Sequence, residues 1–98
     1  MTSKGEIIEL LQSNRDAIKK YGVNEIGIFG SFARNDQREG SDVDVLVEME
    51  RETFDDYMGL LLFLEELFGR NVDLVMKDTI KPLIRDRILR EAIYVAGF

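Results

Sequence analysis

The stretch from Asp42 to Met49 reads Asp-Val-Asp-Val-Leu-Val-Glu-Met, and no other part of the chain constrains the fold as tightly. Side chains alternate faces along a strand. Val43, Val45, Val47 and Met49 therefore share one face, and Asp42, Asp44, Leu46 and Glu48 take the other. The apolar face demands a core packed on a sheet. The acids demand a reason, because aspartate is depleted in strands. Carboxylates at i and i+2 lie about 6.5–7 Å apart along the chain on one face, within reach of one Mg²⁺ or a shared pair. Val45-Leu46-Val47 reads as buried on both faces, so Asp44 is expected to be enclosed, with a metal as its counter-charge.

Just upstream, the apolar run Ile26-Gly27-Ile28-Phe29 ends in Gly30-Ser31-Phe32-Ala33-Arg34. A glycine-serine turn from strand into helix offers backbone N–H groups to a phosphate. Alone it could be an ordinary turn with a serine cap. Beside a carboxylate pair it becomes part of the equipment for phosphoryl or nucleotidyl transfer. Gly30 should exclude β-branched residues where backbone and ligand approach closely. Ser31 would offer hydroxyl and N–H to the β- or γ-phosphate. Arg34, one turn on, either faces the same phosphates or is a solvated surface arginine. Asp73 repeats the anomaly of an acid inside an apolar strand, Val72-Asp73-Leu74-Val75. It is either a third metal-binding carboxylate or the partner of a nearby Arg or Lys.

The remaining chain reads as helices around these strands. Ser3-x-x-Glu6 opens a helix as a capping box, with a break around Ser13–Asn14 and an end at Gly22. Strands are expected over 23–29, 43–49 and 72–76, with a short helix from Gly30. Thr53 with Asp56 opens a helix from Phe54 to Phe68, stopped by Gly69. Phe54, Met58, Leu61, Leu64 and Phe68 should form one face, with Tyr57, Leu60, Phe63 and Leu67 spread around the rest, apolar enough to suit either a wedged helix or a partner interface. Asp78 or Thr79 should cap a last helix with Pro82 in its first turn. Residues 93–98 suit either a helix end or an edge strand. Lys81, Arg85, Arg87 and Arg90 read as a solvated face, and Asp36, Arg38 and Glu39 as a solvated loop. The fold class is α/β (α+β): a small mixed sheet with helices packed on it.

At 98 residues, 45% of them hydrophobic, the chain has the size of one domain. It has no cysteine and no histidine, which removes thiolate sites, His-ligated zinc and Ser-His-Asp hydrolysis. Carboxylates must carry any chemistry. The net charge of −6 disfavours stable binding to long nucleic acid. A Mg²⁺-nucleotide is a different matter, because the metal brings the phosphates. No signal segment or membrane span is legible, so a cytoplasmic location is expected.

The compound string Gly-Ser-Phe-Ala-Arg, seven residues, then Asp-Val-Asp-Val-Leu-Val resembles the signature of the DNA-polymerase-β-like nucleotidyltransferase superfamily. That signature has G-S, then D-x-D, then a third carboxylate on a later strand. With the short chain and the phrases Thr53-Phe54-Asp55 and Ile88-Leu89-Arg90-Glu91-Ala92, the chain resembles the minimal nucleotidyltransferase (MNT) antitoxins of HEPN/MNT toxin–antitoxin pairs. One departure is Asn35, where the family usually has glycine; asparagine also tolerates the left-handed conformation. The resemblance implies a polymerase-β-like fold and two Mg²⁺ ions on Asp42, Asp44 and Asp73, with Gly30, Ser31 and Arg34 on the nucleotide. It implies AMP transfer from ATP to a tyrosine hydroxyl of a HEPN ribonuclease toxin. Two alternatives stay open: a non-catalytic antitoxin acting by occlusion, and a catalytic subunit modifying a small molecule.

Overall fold

The structure, a computed structural model, describes residues 2–98. Its elements are α1 (Lys4–Ser13), α2 (Arg15–Lys19), β1 (Val23–Phe29), α3 (Gly30–Arg34), β2 (Val43–Met49), α4 (Phe54–Phe68), β3 (Val72–Met76), a 3₁₀ turn (Lys77–Thr79), α5 (Pro82–Glu91) and β4 (Ile93–Tyr94). The three long strands fall on the residues that alternation marks. Ser3 Oγ accepts the Glu6 N–H at 3.2 Å and Thr53 Oγ1 accepts the Asp56 N–H at 3.1 Å, so both expected caps form. The break after Ser13 follows from Asn14, whose side-chain amide donates to the Leu10 carbonyl at 2.8 Å, in competition with the helix ladder. Gly69 closes α4 in the left-handed conformation at φ 65°.

The sheet order is β3-β2-β1-β4. β1 pairs antiparallel with β2 and β4, whereas β2 and β3 are parallel. A parallel neighbour requires a crossover, and α4 supplies it. The core is two-sided. On one face Ile26, Ile28, Val43, Val45, Val47 and Leu74 pack with Ile7, Leu11, Ile18, Phe32, Leu60 and Leu64. On the other, Phe29 and Leu46 pack with Ile80 and Ile88, so the 3₁₀ turn and α5 cover that face. Residues 93–98, open to two readings from sequence, contribute the short edge strand β4, opposite Gly27 and Ile28. Among the described residues no helix is long and apolar enough to cross a membrane.

Two expectations are corrected. Neither Asp78 nor Thr79 caps the last helix. They lie in the 3₁₀ turn, Lys81 is the N-cap with no side-chain bond, and Pro82 takes the first helical position. Proline excludes its predecessor from the α region, so Lys81 is extended and the helix cannot begin earlier. The second correction concerns α4. Phe54 is not on its buried face but 76% exposed, and Leu60, Leu64 and Phe68 are the buried positions. The helix is turned so that Tyr57 faces β3, its hydroxyl donating to the Leu74 carbonyl at 2.7 Å. Tyr21 meets Phe63 with ring centroids 6.0 Å apart on the α2 side. Most of the helix is thus wedged between the sheet and its helical neighbours, and only Phe54 and Leu62 stand out as exposed large apolar residues on it.

This packing separates neighbouring leucines of α4. Leu60→Ala should cost about 2–5 kcal/mol in chemical denaturation, because it empties a fully buried site. Leu62→Ala, at a position 59% exposed, should stay within about 0.5 kcal/mol of the parent.

Candidate active site

The sheet register gathers the acids that sequence singles out. Asp44 lies opposite Phe29 in the antiparallel pair and beside Asp73 in the parallel pair. Directly paired residues share a face, so Asp44, Asp73 and the end of β1 meet at one edge of the Leu46 face. Asp42 immediately precedes β2, two residues before Asp44. Asp44 is half-buried, while Asp42 and Asp73 are exposed. The expected enclosure of carboxylates therefore holds for Asp44 alone. The alternative in which Asp73 pairs with a base finds no support: among the described residues it takes part in no ion pair.

Burial pushes the Asp44 carboxyl up to about 6, and the charges of Asp73 and Asp42 push the same way; Glu91 adds to this and Arg34 opposes it. A divalent cation among these oxygens would reverse that repulsion, and three carboxylates are the hard donors that Mg²⁺ takes. The donor type and the mutual repulsion fit such an ion. As the side chains stand, no three acids among the described residues converge tightly enough to form a finished ligand shell.

Gly30 opens α3 with φ 69°. A Cβ there would overlap the Asp44 carboxylate, lying 2.9 Å from its Cγ. Sequence reading makes this glycine a gap for the ligand; the structure shows that Asp44 already fills the gap. A substitution at 30 is therefore strained with or without nucleotide. The Gly30 N–H is also engaged, donating to Glu91 Oε1 at 2.9 Å. Asn35, the departure from the family glycine, adopts the left-handed conformation at φ 64° and ends α3 as a glycine would.

Arg34 is exposed but held in ion pairs rather than fully solvated. Its Nη1 meets Glu91 Oε2 at 3.1 Å and its Nε meets Asp36 Oδ2 at 3.3 Å. Asp36, read from sequence as plain solvated loop, thus holds one edge of the guanidinium. Glu91 enters the sequence reading only within the phrase Ile88-Leu89-Arg90-Glu91-Ala92, without a role of its own. Its one sequence signal is an acid in the last turn of a helix, where the macrodipole disfavours negative charge. Beside Asp42 a polar cavity of about 580 Å³ extends to Ser41, Glu65, Arg70 and Asn71, without taking in Gly30, Ser31, Asp44 or Asp73.

A nucleotidyltransferase-domain family model matches residues 7–95. The chain belongs to the nucleotidyltransferase domain family. Protein adenylyltransferase MntA of Thermococcus cleftensis is 40% identical over 97 residues, covering 97% of this chain and 98% of its own. A solved structure assigned as a minimal nucleotidyltransferase superposes with a TM-score of 0.72 at 40% identity, covering 88% of this chain and 93% of that one. A chain of the solved complex between tri-AMPylated Shewanella oneidensis HEPN toxin and MNT antitoxin superposes with a TM-score of 0.60. It covers 97% of this chain and 70% of that one, and at 20% identity the likeness is one of fold. The nucleotidyltransferase domain thus carries its acids and its glycine turn on the polymerase-β-like fold that sequence implies.

For this nucleotidyltransferase domain the raised Asp44 carboxyl sets a pH dependence. Between its ordinary value of 3.8 and about 6 the folded chain binds more protons than the unfolded one. Stability therefore falls as pH rises through that window. In chelator at about pH 7.5, Asp44→Asn should melt higher than the parent, by about 4–8 °C per kcal/mol of repulsion relieved. At about pH 5 the difference should shrink, because the native carboxyl is then largely protonated. A melting-temperature series against pH on both chains checks this.

Proposed function

We propose that this chain transfers AMP from ATP to a hydroxyl of a partner protein and so acts as the antitoxin of a HEPN-type toxin. The observation that carries the reading is the register that sets Asp44 beside Asp73 and against Gly30, so that the carboxylate pair and the glycine-serine turn meet at Asp44. Its likeness to an MntA protein adenylyltransferase along nearly the whole chain supports the same reaction. Asp42, Asp44 and Asp73 would hold Mg²⁺. When bound, the metal supplies electrostatic stabilisation of the triphosphate and of the attacking oxygen.

In this reading Asp42 and Asp44 are ligands only, and Asp73, exposed beside Asp44 on β3, faces the acceptor and takes its proton. The acceptor oxygen bonds to the α-phosphorus as the bond to the β-phosphate bridging oxygen breaks, and pyrophosphate leaves. Ser31 and Arg34 hold the phosphates on the far side of Asp44. The acceptor is then brought by the partner, whose tyrosine side chain is the proposed target.

A purely occluding antitoxin would gain nothing from three carboxylates that repel one another. They lower stability, and such a cost is retained at sites of function. The partner is sought as a helical protein encoded beside this chain. Incubated with it, ATP and Mg²⁺, the chain should add about 329 Da per transferred AMP by mass spectrometry, the nucleotide less pyrophosphate. The Asp42→Asn/Asp44→Asn double variant should add nothing and should lose protection against the toxin. If that variant still binds and fully protects, occlusion is the function. If mass appears only on an added small molecule, the third reading holds.

A further inference from the structure

Glu91 is the unexplained acid of this structure. It sits at the C-terminal end of α5, where the helix dipole opposes it, and its carboxylate adds to the negative field on Asp44. An ion pair with Arg34, whose side chain is 47% exposed, contributes little stability in water. Yet the Glu91 side chain is only 16% exposed and reaches across 61 residues of sequence to the first N–H of α3. The ion pair with Arg34 does not by itself account for an acid in that place.

Both sides of Gly30 are taken by protein. Asp44 fills the space a Cβ would occupy, and Glu91 accepts the N–H. An incoming phosphate must therefore use other donors nearby, and beside Ser31 the cation tied to this turn through Glu91 is Arg34. Its two carboxylate partners take Nε and Nη1, Asp36 the first and Glu91 the second. Among the described residues no hydrogen bond uses Nη2. An arginine held at both Nε and Nη1 has already lost the rotamer freedom that binding would otherwise cost.

We propose that Glu91 is a positioning residue of the nucleotide site: it pins the Gly30 turn and the Nη1 of Arg34, leaving Nη2 to meet the triphosphate. This rests on the nucleotidyltransferase reading above. It differs from the reverse possibility, in which Glu91 occupies the anion site and competes with nucleotide, by the sign of one substitution. Removing a competitor tightens binding, whereas removing a clamp weakens it.

The test is calorimetric titration of Mg-ATP, and separately of Mg-tripolyphosphate, into the parent, Glu91→Gln, Arg34→Gln and the double variant, each shown to melt cooperatively. Glu91→Gln should weaken both ligands about tenfold, equivalent to about 1.4 kcal/mol. Arg34→Gln should weaken them at least as much. The double variant should lose less than the sum of the two single losses, because Glu91 acts in part through Arg34 and the two effects share one interaction. A merely structural role would instead lower the melting temperature without this coupling. Unchanged or tighter binding in Glu91→Gln overturns the inference, and so do additive losses in the double variant. If Glu91→Gln does not fold, undiminished affinity in Arg34→Gln overturns it equally. A parent chain that binds neither ligand overturns the proposed function itself.

Discussion

The register at Asp44 is the constraint on which the rest of this molecule depends. One residue is claimed by two pairings, antiparallel to Phe29 and parallel to Asp73. Because a one-residue slip would turn every β2 side chain to the opposite face, the valines that anchor the core also fix where the acids stand. Val43, Val45 and Val47 are fully or almost fully buried, so the strand has no freedom to slide. The apolar side of β2 thereby determines the position of a charged group on its other side.

That position is electrostatically unfavourable in the free chain, with burial and two neighbouring acids opposing ionisation of Asp44. The surrounding structure withstands it because the Leu46 face is closed by Ile80 and Ile88, and the opposite face by α1 and α4. A local charge cost of this kind persists only where a well-packed scaffold over-determines the backbone. The chain's C-terminal segment contributes to that scaffold twice. β4 covers the outer edge of β1, and Glu91 immediately before it ties down the turn after β1. The end of the sequence is therefore part of the site's architecture.

The helical layer shows how an over-apolar helix finds its orientation. In α4 two stripes, one through Phe54, Met58 and Leu61 and another through Tyr57, Leu60 and Leu64, both satisfy helical periodicity. Periodicity cannot choose between them. The Tyr57 hydroxyl on the Leu74 carbonyl chooses, since a buried polar tip requires a partner and only one rotation supplies it.

What the sequence determined by itself is whatever short-range physics governs: the alternation of β2, the caps at Ser3 and Thr53, the break at Asn14, the left-handed ends at Asn35 and Gly69, and the acids Asp42, Asp44 and Asp73 set into strand-like runs. Each depends on residues within about one helical turn or on a period of two along a strand. What only the tertiary structure decided are relations between distant segments. They include the rotation of α4, the edge pairing of residues 93 and 94, the closeness of Asp44 to Gly30, and the reach of Glu91 to Gly30 and Arg34. No local propensity encodes a hydrogen bond between residues 61 positions apart. It forms because the sheet order brings the end of α5 over the end of β1, where the N–H of Gly30 needs an acceptor.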